Sequence, residues 1–185
     1  MLINKKQKNM AKLILKKGEH CVHNIHGLAD VTDIETIEVF GSKSEFYVLY
    51  IEKEKLTIKV SFSEANSFES PIRAISSKEK MNEVFAILTT GNRKVKGMWS
   101  RRIKEYENKI NSGDVLQIAE VIRDLTRDIE ESQRAFGERM IYEDAIFKLA
   151  SELSILENIS YDEAQVKIKE IVKQKIQFED IEKMA

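Results

Sequence analysis

The hydrophobic period of this chain changes once, near its only proline, Pro71. Upstream of that point apolar and polar residues tend to alternate, the period of a strand with one face on a core. Downstream the apolar residues recur every three or four positions, the period of an amphipathic helix. Proline cannot continue a helix and restrains the residue before it, so it suits a boundary. The chain is therefore expected to be α+β, with strands first, helices after, and a boundary near 70–78.

The upstream half divides into short strands. Glu19 to His23 leads to a turn at Asn24-Ile25-His26-Gly27, and Leu28 to Phe40 is rich in β-branched residues. A turn at Gly41-Ser42 precedes Phe46 to Ile51, the strongest strand pattern, and Leu56 to Phe62 alternates clearly. Four or five short strands joined by tight turns predict a small antiparallel barrel of Tudor or SH3 type. An edge of such a barrel can pair with a partner strand.

The downstream half reads as a run of helices. Ser77 is placed to cap the first, whose inner face is Met81, Val84, Phe85 and Leu88, before Gly91-Asn92 breaks it. A second is expected from about Met98 to Asn111. Gly113 suits a left-handed helix end, and Asp114 an N-cap for a third helix carrying Val115, Ile118, Ala119, Ile122, Leu125 and Ile129. Phe136, Met140, Ile146, Leu149, Leu153 and Leu156 are assigned to the stripe of a fourth. Ser160 and Glu163 form a capping box for a fifth, with Ala164, Ile168, Ile171 and Val172 inside. A short last helix is expected over Phe178 to Met184. The resulting division is a disordered basic extension over 1–13, the barrel over 14–76 and a helical domain over 77–185.

Composition narrows the function. The chain has 185 residues, 33 % charged and 42 % hydrophobic, and no apolar run near the roughly 18 residues a membrane span needs. The lysine-rich first residues lack the longer apolar region and cleavage site of a secretory signal. A single cysteine, Cys21, excludes an intrachain disulfide and fits a reducing cytosol. No phosphate-binding glycine loop, HExxH or Gly-x-Ser-x-Gly motif is present, and the carboxylates fall in helical surface patterns, so no enzyme and no cofactor is expected. His20, Cys21, His23 and His26 lie close together, but their spacing matches no structural zinc pattern.

The net charge of −1 hides a basic segment. From Arg93 to Lys109 there are seven basic residues against Glu105 and Glu107, and the only tryptophan, Trp99, sits among them. Cations neutralise phosphate and an apolar wedge can enter between base steps, so the segment is a candidate nucleic-acid surface. Periodicity offers another reading. Trp99, Ile103, Tyr106 and Ile110 share one helical face, which makes Trp99 equally the first residue of a core stripe.

These residues resemble a known family. Met98-Trp99-Ser100-Arg101-Arg102-Ile103-Lys104, Glu107-Asn108-Lys109-Ile110, Ser112-Gly113-Asp114, Ala119-Glu120-Val121-Ile122-Arg123-Asp124-Leu125, Phe136-Gly137-Glu138-Arg139-Met140 and Ala150-Ser151-Glu152-Leu153 resemble the helical domain of the CarD/CdnL family of bacterial transcription regulators. His26-Gly27 and Leu56-Thr57-Ile58-Lys59-Val60 are similar to its Tudor-like, RNA-polymerase-interacting domain, which the family shares with transcription-repair coupling factor. The resemblance implies a cytoplasmic, non-enzymatic monomer associated with the nucleoid through polymerase. Its barrel would bind the polymerase β subunit through Lys59 and Thr57. Its helical domain would lie on promoter DNA at the upstream bubble edge, with Trp99 as a minor-groove wedge and Arg101, Arg102, Lys104 and Arg139 on phosphate. The sequence departs from the family at three places: His23-Asn24-Ile25 replaces an aromatic and a proline, Ile37 stands for a polymerase-contacting arginine, and Ser61 for a proline. The rival reading is a protein-interaction module whose helical domain makes no DNA contact.

Overall fold

The computed structural model describes residues 12–39, 41–90, 98–126 and 136–184. Strands β1 (His20–His23), β2 (Gly27–Val39), β3 (Ser42–Ile51) and β4 (Leu56–Ser61) come first. A one-turn helix α1 (Phe62–Ala65) and a short strand β5 (Ile72–Ala74) follow. Then come α2 (Lys78–Thr89), α3 (Trp99–Asn111), α4 (Val115–Thr126), α5 (Phe136–Glu157) and α6 (Tyr161–Met184). The α+β order expected from the change of period is the order found.

The five strands form one antiparallel sheet in the order β4-β3-β2-β1-β5. Its long central pair carries a bulge at Thr32, between the Val31–Leu49 and Asp33–Val48 partners. Such an extra residue increases the local twist of the strand. Cys21, Ala29, Val31, Tyr47, Leu49, Ile51, Val60, Ala65 and Ile72 form the sheet's apolar core. Tyr47 also ties down the chain's entry: its hydroxyl accepts from the Leu15 amide at 3.2 Å and donates to the Leu13 carbonyl at 3.3 Å.

Two elements were not expected. Helix α1 is held by a capping box in which Ser61 accepts from the Glu64 amide and Glu64 accepts from the Ser61 amide. The Ser-x-x-Glu signal was present in the sequence, but a single turn is too short for periodicity to mark. Strand β5 exists through its pairing with β1, where Cys21 faces Ala74 and His23 faces Ile72. That is a nonlocal contact invisible to a local pattern.

The helices pack around a second core that includes Met81, Val84, Leu88, Tyr106, Ile122, Leu125, Leu149, Leu153 and Ile168. Their ends follow the expected signals. Ser77 accepts from the Lys80 amide, Asp114 from the Leu116 amide and Ser160 from the Glu163 amide. Helix α5 stops at Asn158, whose φ of 54° lets the Ile159 amide reach back to the Ser154 carbonyl at 3.0 Å. The expected short last helix over Phe178 to Met184 is instead the end of α6, which continues without a break from Tyr161. No Gly or Pro interrupts that stretch, so nothing in it stops a helix. The expected break at Gly91-Asn92 and the core position of Ile129 lie outside the described residues.

The two cores meet along α5. Asp144, Lys148 and Glu152 follow one another at helical spacing and each reaches the sheet domain. Asp144 pairs with Lys53 at 2.9 Å. Lys148, 5 % exposed, donates to the Asn24 carbonyl at 3.4 Å. Glu152, 2 % exposed, receives both terminal nitrogens of Arg73 at 2.6 and 2.8 Å and the Ser76 amide at 2.8 Å.

Candidate nucleic-acid interface and sheet edge

Helix α3 begins at Trp99 with Met98 as its N-cap residue, and among the described residues no side chain caps it. Helices α1, α2, α4 and α6 each have such an acceptor: Ser61, Ser77, Asp114 and Ser160. The first turn of α3 also holds no acidic residue, while Arg101 and Arg102 lie within it. Unbonded amides and the helix dipole make an N-terminus locally positive, and basic side chains there add to the field. This end of α3 suits an anion.

The other side of α3 is anchored. Tyr106 is 1 % exposed and Ile110 is buried, with Ile103 packed against the same cluster. Burial pushes the Tyr106 phenol above its ordinary range, with the Arg102 guanidinium opposing the shift. That guanidinium lies 5.9 Å from the Tyr106 ring centroid, and Arg102 is half-buried. Arg101 and Lys104 are exposed. The exposure of the Trp99 side chain lies outside the described residues, as do Arg93, Lys94 and Lys96.

Helix α5 brings its first turns alongside. A Cβ built on Gly137 would stand 3.7 Å from Ile103 Cδ1, so the starts of α3 and α5 are neighbours. Arg139 sits there, 67 % exposed and 3.3 Å from Glu143 one turn on. Phe136 and Met140 correct an expectation: both were assigned to the core stripe, yet they are 74 % and 51 % exposed. On a helical wheel they share a side of α5 away from Ile146, Leu149 and Leu153, so their spacing carried the signal that was missed. Met98, 78 % exposed, is a third uncovered apolar side chain. The neighbouring starts of α3 and α5 thus carry Arg101, Lys104 and Arg139 together with exposed apolar groups that charge counting passes over.

The sheet offers a different surface. Strand β4 pairs only with β3 among the described residues, leaving an open backbone edge. Thr57 and Lys59 are both exposed on it, two residues apart and therefore on one face. Lys59 crosses β3 to pair with Glu35 of β2 at 2.6 Å. Ile37 is half-buried on β2, paired in register with Ser44.

The histidines and the cysteine serve the sheet locally. His20 pairs with Asp30 at 2.7 Å and His26 with Glu54 at 2.7 Å. His23 accepts from the Ile25 and His26 amides at the β1–β2 turn, through Nδ1. Cys21 is fully buried, and burial pushes its thiol to about 12. Among the described residues no three metal-binding side chains converge. No helix among them is long and apolar enough to cross a membrane.

Residues 15–76 match the family model described as the CarD-like/TRCF RID domain, and residues 83–169 match the one described as the CarD C-terminal domain. The first ends just before α2 and the second takes in the starts of α3 and α5. A Bacillus subtilis (strain 168) protein described as "Putative transcription factor YdeB" is 28 % identical over 150 residues, covering 81 % of this chain and 95 % of that protein. With both halves matched in order, the chain belongs to the CarD family of transcription regulators.

Proposed function

We propose that the protein bridges RNA polymerase and promoter DNA, and that it stabilises the open complex through Trp99 at the upstream edge of the bubble. The observation that carries the reading is the start of α3. Among the described residues it has no side-chain cap, its first turn is basic, and Arg139 and the exposed Met98, Phe136 and Met140 stand at the same end of the helical domain. Phosphate would satisfy the amides and cations. The apolar groups suit the sugar and base surface that a minor-groove binder meets.

Trp99 is placed one turn before Ile103, where the stripe anchored by Tyr106 and Ile110 runs out. At an unstacked base step an indole replaces lost stacking, which is worth about 1–3 kcal/mol per base. The sheet domain supplies the other attachment. The match to the RID domain supports the polymerase β subunit as partner, and the open β4 edge with Thr57 and Lys59 offers the place for it. The two domains, 14–76 and 77–185, would then act as two ends of a bridge within one monomer.

Trp99→Ala tests the wedge. It should shorten the lifetime of promoter open complexes about tenfold and leave β-subunit binding unchanged. An unaltered lifetime with a folded variant would instead favour an interaction module that makes no DNA contact.

A further inference from the structure

We infer that the row Asp144, Lys148 and Glu152 on α5 is a positioning device that fixes the angle and span between the β4 edge and the start of α3. The inference rests on the bridging function proposed above and names what makes the bridge rigid.

Domains joined by one short segment ordinarily move relative to one another unless a large apolar interface holds them. Here the joint is polar, directional and buried. Glu152 takes both Arg73 terminal nitrogens and the Ser76 amide, and Arg73 Nε donates to the Gly113 carbonyl at 2.6 Å. One side chain of β5 thereby ties the sheet to α5 and to the α3–α4 joint. Lys148 Nζ donates to the Asn24 carbonyl of the β1–β2 turn and to the Ile110 carbonyl and Asn111 Oδ1 of α3, at 3.3 to 3.4 Å. Lys53 closes the exposed end, on Asp144 at 2.9 Å and over the Phe147 ring at 3.9 Å. The Gly27 backbone lies close to the Lys148 stem as well: a Cβ on Gly27 would meet Lys148 Cγ at 3.3 Å.

Apolar faces can slide past one another at small cost, whereas buried charges cannot leave their partners without an uncompensated charge. Buried ion pairs are best attested as devices of register rather than of net stability. The same helix carries Arg139 at its start, about 20 Å of helix from Glu152. A contact on α5 is thereby held at a set distance from the sheet. When one molecule grips two surfaces, the second contact forms at an effective concentration set by the length and stiffness of the link. Loosening the joint should therefore weaken the bridge while each grip alone stays intact.

The experiment uses the full chain with spin labels at Ser63→Cys and Asp162→Cys. Both sites are exposed, and the buried Cys21 stays unlabelled. In Arg73→Gln the distance distribution between labels should broaden. Without labels, the lifetime of open complexes formed by RNA polymerase holoenzyme on a linear promoter fragment should fall about tenfold. Affinity for the isolated β subunit and for promoter DNA should stay within twofold of the parent. A distribution as narrow as the parent's overturns the inference, as does an unchanged lifetime with a broadened distribution. If Arg73→Gln loses its cooperative melt, the same readouts on Lys53→Ala, at the exposed end of the row, decide by the same criteria. If Trp99→Ala and Lys59→Glu shorten the lifetime and Arg73→Gln does not, the clamp alone falls. If none of the three does, the bridging function falls with it.

Discussion

Gly113 and Asn24 touch across the domain joint so closely that a Cβ on the glycine would stand 2.1 Å from Asn24 Oδ1 and 3.2 Å from Asn24 Cα. The glycine also has a φ of 74°, a conformation that L side chains rarely adopt. Gly113→Ala should cost about 2–3 kcal/mol, from backbone strain together with displacement of the β1–β2 turn. Gly18 has a φ of 88° with open space around it, so Gly18→Ala should cost only about 1 kcal/mol. Urea midpoints of the two variants measure the difference, and equal midpoints would contradict the close approach.

Arg139→Ala should separate binding from stability. Its partner Glu143 is one turn away and both are largely exposed, a pair worth only about 0.3–0.5 kcal/mol. Thermal stability should hardly move. Affinity for promoter DNA should fall, and the slope of its logarithm against that of salt concentration should decrease by about 1. Titrations at several salt concentrations read this directly.

Lys59→Glu sets a carboxylate against Glu35, where the lysine now pairs at 2.6 Å. Both positions are exposed, so the fold should lose less than about 1 kcal/mol. Binding of the polymerase β subunit should drop more than tenfold while affinity for free promoter DNA stays unchanged. Equal capture of β subunit by parent and variant would remove Lys59 from that interface.

Acid should loosen the β1–β2 turn through His23. Burial holds its pKa below 6.5, helped by His26 and Lys148 and opposed by Glu54. The unfolded chain therefore binds more protons just below that pH, and stability rises with pH through the window. The contribution is full above 6.5 and is lost as pH falls from there toward the lower native value. Urea midpoints between pH 7.5 and 5.5 should decline, and the decline should be shallower in His23→Gln.

Much of this fold could be read from local chemistry. Ser77, Asp114 and Ser160 cap helices as their side chains dictate, and Gly113 turns where a left-handed residue was required. What escaped was nonlocal or short. Strand β5 depends on β1, some fifty residues away, and Arg73 and Glu152 are paired across 79 positions. Nothing around either residue announces the other. For the candidate interface, charge pointed to Arg101, Arg102 and Lys104, and family resemblance added Arg139. Phe136 and Met140 were assigned inward because apolar side chains usually are, although their place on the wheel said otherwise.

The missing cap on α3 bears on when its first turn becomes secure. A side-chain cap would contribute about 1 kcal/mol to the free protein. With Met98 in that position, an anion bound there, as proposed, would supply the contribution instead. Part of the proposed affinity for phosphate would then be the helix's own completion. Amide hydrogens at the start of α3 should accordingly exchange quickly in isolated protein and slowly once it engages a duplex, so that contact reports itself as folding.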